Sequence, residues 1–96
     1  MQFVVTAMDF TDDDAINRRM ANRDEHLAGV KHLIADGHII SGGAILDDDG
    51  KMIGSTLYVE FPDRASLEQR LQADPYISGK VWDAIDIKQI KLVPMK

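Results

Sequence analysis

The sequence predicts an α+β fold, a four-stranded antiparallel sheet with two helices on one face. Three observations carry that prediction. Four runs have strand character, at Gln2–Met8, His38–Leu46, Met52–Phe61 and Ala84–Val93. A long helical pattern fills the space between the first and second runs, and a shorter one separates the third from the fourth. The resulting order, β-α-β-β-α-β, is the ferredoxin-like arrangement.

Each element has a local reason. Phe3, Val4, Val5 and Thr6 are β-branched or aromatic, which suits a pleated, half-buried strand. Thr11 followed by Asp12, Asp13 and Asp14 reads as a helix start, with a hydroxyl to cap a free N–H and carboxylates against the positive end of the dipole. Taken at about 100° per residue, Ile16, Met20, Leu27, Val30 and Ile34 form an apolar stripe, and Arg23 occupies its one gap. The helix extends to about Asp36, where Gly37 suits the left-handed position that ends it. Asp49-Gly50 closes an acidic turn between the second and third strands. Asp63 is placed to cap the second helix, with Leu67 and Leu71 facing inward, and Asp74-Pro75 stops it. Residues 76–83 read as a connector. In the last strand Ile85 and Ile87 share one face whereas Ile90 and Leu92 share the other, which predicts either a bulge near Lys88-Gln89 or burial on both faces.

Composition narrows the function classes. Ninety-six residues suit one domain, 1–96, and 45% hydrophobic with 28% charged content is ordinary for a folded chain. The net charge of −5, with no local Lys/Arg cluster, disfavours nucleic acid as a partner. No cysteine is present, which removes thiolate nucleophiles and cysteine-ligated metals. No apolar run approaches the roughly 18 residues of a membrane span, so the expectation is a soluble cytoplasmic protein. A sheet covered by helices on one side leaves its other face bare, and a second copy is the simplest cover, which predicts a homodimer through the sheet faces.

Candidate chemistry centres on the first helix. A cation at Arg23, where the pattern calls for hydrocarbon, either reaches water past its apolar stem or lines a pocket. His26 lies on the same flank and has the residue type best suited to proton transfer near neutral pH. Such a histidine needs an orienting partner. Asp74 can serve as one, or can be ordinary helix-end chemistry before proline. His32 falls on the solvent face, and His38 is placed to bond the last carbonyls of the helix. No second ligand accompanies His26, and the acidic turn lacks both the alternation and the closing glutamate of a calcium loop, so no metal is implied. Ser41-Gly42-Gly43 breaks a strand with small residues, and Gly54-Ser55-Thr56 presents hydroxyls on the next. Both segments either floor a small cavity or accommodate close packing.

The ordered set of Asp9, Arg23-x-x-His26-Leu27, Gly37, Gly42-Gly43, Gly54-Ser55-Thr56, Asp74-Pro75-Tyr76 and Gly79 resembles the YciI-like family from end to end. The resemblance implies a dimeric α+β barrel and an active site built on a His–Asp pair, carried here by His26 and Asp74. Arg23 and Tyr76 also match motif positions. This chain departs from the family in having Gly42-Gly43 where Gly-Pro is common, and in its short loop from Ala44 to Lys51.

The leading expectation is a small enzyme with no metal or organic cofactor. His26 and Asp74 are its acid/base pair, and Arg23, Ser41, Gly42, Ser55 and Tyr76 bind a small cyclic substrate. Elimination or isomerisation needs no covalent nucleophile and suits these parts, and the resemblance implies lyase or dehalogenase-like chemistry on small ring compounds for some members. A non-catalytic binding or sensor module with the same pocket is the alternative, and a structural dimer is a third reading.

Overall fold

A computed structural model of the chain, describing residues 1–94, has the expected order with one added turn of helix. Its elements are β1 Gln2–Asp9, α1 Ala15–Ala35, β2 Ile39–Leu46, β3 Met52–Glu60, α2 Arg64–Gln72, α3 Pro75–Ser78 and β4 Trp82–Ile90. The strands form one sheet in the order β2-β3-β1-β4, and every pairing is antiparallel. Strand alternation sets the two faces. Phe3, Val5 and Ala7 are buried on β1 and lie opposite Val59, Leu57 and Ser55 of β3. Leu67 and Leu71 of α2 join that core, as their spacing predicted, together with Tyr76, Val81 and Trp82. No helix of the described residues is long and apolar enough to cross a membrane.

Several local devices act where the sequence places them. Asp63 caps α2, its Oδ1 accepting from the Ser66 N–H at 2.8 Å. Gly37 follows α1 at φ +82°, a conformation that costs a side-chain-bearing residue strain. In the hairpin turn, Asp47 Oδ1 accepts from the Asp49 and Lys51 N–H groups at 2.9 Å each.

Elsewhere the structure departs from expectation. Helix α1 begins at Ala15 rather than after a Thr11 cap, and Asp14 occupies the N-cap position without capping a backbone N–H, its Oδ1 accepting instead from Asn17 Nδ2 at 2.8 Å. Asp12 instead makes a bidentate pair with Arg18 at 2.7 and 2.8 Å, and that guanidinium holds its carboxyl down at about 2. Residues 76–83 are not a plain connector, because Pro75–Ser78 turns once as α3 and β4 already begins at Trp82. No register shift occurs at Lys88-Gln89. The shift lies at the other end of β4, where Met8 pairs with Ala84 but Asp9 pairs with Trp82. Ile90 simply sits on the open face, opposite Gln2.

The largest difference is the rotation of α1. Met20 and Ile34 of the apolar stripe are 53% and 52% exposed, whereas the helix buries Ala15, Arg19 and His26. At 100° per residue this turns the buried face by about 80° from the apolar stripe. The cause is a buried ion pair. Arg19 donates through Nη1 to both oxygens of Asp9 at 2.8 and 2.9 Å, and through Nη2 to the Gly54 carbonyl and Ser55 Oγ at 3.0 Å each. Counting hydrocarbon assigns burial to apolar residues, but a guanidinium supplied with this many acceptors is tolerated inside.

Removing one member of that pair leaves the other charged and unpartnered. Arg19→Met should lower unfolding free energy by about 3–5 kcal/mol, whereas adding Asp9→Leu should restore most of the loss. Urea denaturation of the two variants beside wild type measures this. Equal losses in the single and double variants would show that Asp9 does not need Arg19.

Candidate active site

The gap between α1 and the β2–β3 side of the sheet is a cavity of about 190 Å³. It exists because the sheet edge beneath α1 carries small residues, Gly42, Gly43 and Ala44. A Cβ on Gly42 would come within 2.6 Å of Leu57 Cδ2 and 2.7 Å of the Thr56 carbonyl oxygen, so glycine there is required by close packing of neighbouring strands. Gly43 meets nothing within 4 Å and has no such constraint.

Asp74 organises one wall. It is the N-cap of α3, with Pro75 in the first turn, and its Oδ1 accepts from the Tyr76 N–H at 2.9 Å. The same carboxylate receives His26 Nδ1 at 2.8 and 3.0 Å, with both side chains buried. A carboxylate can only accept, so Nδ1 carries the hydrogen. In neutral imidazole this leaves Nε2 as a lone-pair acceptor, and Nε2 has no hydrogen bond to any described residue. The ring is held as well as bonded. Tyr76 stacks on it at 3.8 Å between centroids and 10° between planes, and Trp82 meets it edge-on at 5.6 Å.

A second buried network supports the first. Ser55 Oγ receives both Arg19 Nη2 and Trp82 Nε1, the latter at 3.2 Å. The Arg19 guanidinium lies over the Tyr76 ring, 5.0 Å from its centroid. Arg19 Nε is buried with no hydrogen-bond partner among the described residues. Burial pushes the Tyr76 phenol above its ordinary value of 10.0, against the opposing pull of Arg19 and Arg23. Arg23 lines the cavity half-buried and is paired with no carboxylate among the described residues.

Arg23, His26, Gly42, Ser55 and Tyr76 therefore line one cavity, and Asp74 stands directly behind His26. Ser41 does not join them. It pairs with Tyr58 across the strands, after a register shift that follows Ile39, and is exposed on the sheet face away from the helices. His38 sits apart, its Nδ1 bonded to the Glu60 carbonyl at 2.9 Å; its backbone N–H, not its ring, bonds the α1 carbonyl of Leu33. Sequence reasoning passed over Arg19 and Trp82. Arg19 was detectable, because Arg19, Arg23 and His26 follow one another at spacings of four and three and so share a helix face. Among the described residues no three His, Cys, Asp or Glu side chains gather to hold a metal ion.

Known proteins resemble this chain along nearly its full length. Protein YciI of Escherichia coli O6:H1 is 28% identical over 97% of this chain and 99% of its own, and an uncharacterised protein of Haemophilus influenzae is 27% identical over the same shares. Among solved structures, 5-chloro-2-hydroxyhydroquinone dehydrochlorinase (TftG) of Burkholderia phenoliruptrix AC1100, in complex with 2,5-dihydroxybenzoquinone, superposes with a TM-score of 0.82 at 26% identity. That similarity covers 95% of this chain and 94% of TftG. An antibiotic biosynthesis monooxygenase, at 19% identity and a TM-score of 0.56, shares the fold alone. Residues 1–91 match the YCII-related domain, and the chain belongs to that family.

Proposed function

We propose that this protein is an acid/base enzyme acting on a small hydroxylated ring compound. The observation that carries this reading is the buried His26–Asp74 pair, which fixes the hydrogen on Nδ1 and leaves Nε2 free on a cavity wall. Asp74 orients the imidazole and stabilises the imidazolium that forms after proton uptake. Arg23 supplies positive charge to an oxygen that becomes anionic. Tyr76 remains a neutral phenol that holds the imidazole plane. The resemblance to TftG supports dehydrohalogenation as the reaction class.

For a halogenated hydroquinone the steps balance without an oxidant. His26 Nε2 takes the proton of one ring hydroxyl and returns it to the halogen-bearing ring carbon. A second hydroxyl proton then passes to Nε2 as halide leaves with its bonding pair, giving a quinone. The net change is loss of hydrogen halide. The imidazolium releases its proton to water.

The test is chloride release from 5-chloro-2-hydroxyhydroquinone by purified protein. His26→Ala, Asp74→Asn and the double variant should each lower kcat about 10²–10⁴-fold, with little further loss on combination, because the pair acts as a unit. Turnover undiminished by His26→Ala would refute the assignment.

The raised Tyr76 pKa has a thermodynamic consequence. The folded chain keeps this proton at a pH where the unfolded chain loses it, so the contribution to stability is complete below pH 10. It is lost as pH climbs above 10 through the folded value. Absorbance at 295 nm during alkaline titration of Tyr58→Phe, which leaves Tyr76 as the one tyrosine, should show ionisation delayed beyond 10 until unfolding. A midpoint at or below 10 would contradict burial of the phenol.

A second copy is inferred from the bare sheet face. Val4, Thr6 and Met8 of β1 lie there opposite Tyr58, Thr56 and Gly54 of β3, and Met8 and Tyr58 are exposed. Two such faces packed together would remove this apolar surface from water. Sedimentation at micromolar concentration should give about twice the 10.7 kDa chain mass, and Val4→Lys should shift the protein towards monomer. A monomeric wild type would rule out the pairing.

A further inference from the structure

The apolar stripe of α1 is only partly spent on the core, through Val30. Leu27, Val30 and Ile34 line the cavity from the helix side, with Ile39 and Leu57 facing them from the sheet. Ile34 is largely exposed despite being hydrocarbon. The polar part of the lining is the smaller one and contains Arg23, which has no carboxylate partner among the described residues. The polar and apolar parts follow one another along the elements. Arg23 and Val30 are seven residues apart on the helix, about 10 Å at 1.5 Å per residue. On the sheet, Ser55 and Leu57 are about 7 Å apart. The cavity is thus long enough for a ring and a substituent laid end to end. The segment Gly42-Gly43-Ala44 projects little side-chain bulk into it.

We infer that this cavity takes an amphiphilic ring anion: an anionic oxygen at Arg23 and a hydrocarbon substituent laid along Val30, Ile34 and Ile39. This rests on the reading that the cavity binds a small cyclic compound, and it names the class. A ligand that was all polar would leave Leu27, Val30 and Ile34 against water or against polar groups. A neutral hydrocarbon would leave the Arg23 charge uncompensated in a partly dehydrated space. One molecule with both properties answers both ends.

Isothermal titration of the full chain with benzoate, 4-methylbenzoate, 4-isopropylbenzoate and 4-tert-butylbenzoate tests the inference. Affinity should rise about fourfold for each carbon buried until the cavity is filled. Arg23→Met should weaken every member at least tenfold. Ile34→Ser, at an exposed site on the cavity wall, should compress the rise between the first member and the last. A flat or falling series, no binding at millimolar concentration, or equal affinity for neutral 4-tert-butylbenzyl alcohol would overturn the inference. Repeating the series on His26→Ala separates it from the proposed reaction. A rising series that survives in that variant supports the ligand class even if no turnover is found. A flat series beside His26-dependent chloride release removes the ligand class and leaves the acid/base reading standing.

Discussion

The buried guanidinium of Arg19 is the constraint around which the rest of this structure is arranged. A charge this deep in a small domain is costly unless its hydrogens are bonded and its charge is balanced. Asp9 at the end of β1 supplies the charge, and Gly54 and Ser55 on β3 supply further acceptors. Two central strands are thereby tied to the first half of α1. The helix must take the rotation that points Arg19 inward, and that rotation carries His26, two turns later on the same face, into the protein. Apolar residues on the adjoining flank are then turned to the gap above β2, where they become the wall of a cavity. A single paired charge thus decides which face of α1 is core and which is available to a ligand.

Asp74 plays a comparable part at smaller scale. One carboxylate caps α3, accepts the Tyr76 N–H and fixes the His26 ring, so the backbone turn and the imidazole tautomer depend on the same atoms. Tyr76, placed by that turn, stacks on His26 and lies beneath Arg19, which links the two networks. The consequence is preorganisation. The imidazole is bonded at one nitrogen, covered on a face and met at its edge by Trp82, so little rotational freedom remains to it.

The fold itself does not select a reaction. The same sheet-and-helix frame superposes on a monooxygenase of 19% identity and on a dehydrochlorinase of 26% identity, and only the residues of the site distinguish what each can do. In this chain those residues are an imidazole bonded to a buried carboxylate and an arginine with no carboxylate partner among the described residues, set beside a hydrocarbon wall.

Local sequence determined the element order, because strand alternation, the Asp63 cap, the Gly37 stop and the Asp49-Gly50 turn are interactions between near neighbours. It also singled out His26, Asp74, Arg23, Gly42 and Ser55, whereas the choice of Tyr76, and most of the weight for pairing His26 with a carboxylate 48 residues away, came from likeness to a family. The tertiary structure decided the rotation of α1, the exposure of Ser41 outside the cavity and the entry of Arg19 and Trp82 into the site. Each of these depends on a contact between distant segments. Helical periodicity ranks residues by hydrocarbon, and so could not place Arg19 inside without the acceptors that β1 and β3 bring to it. A register shift after Ile39 likewise turns Ser41 to the open face, and a shift of one residue is invisible until the partner strand is present.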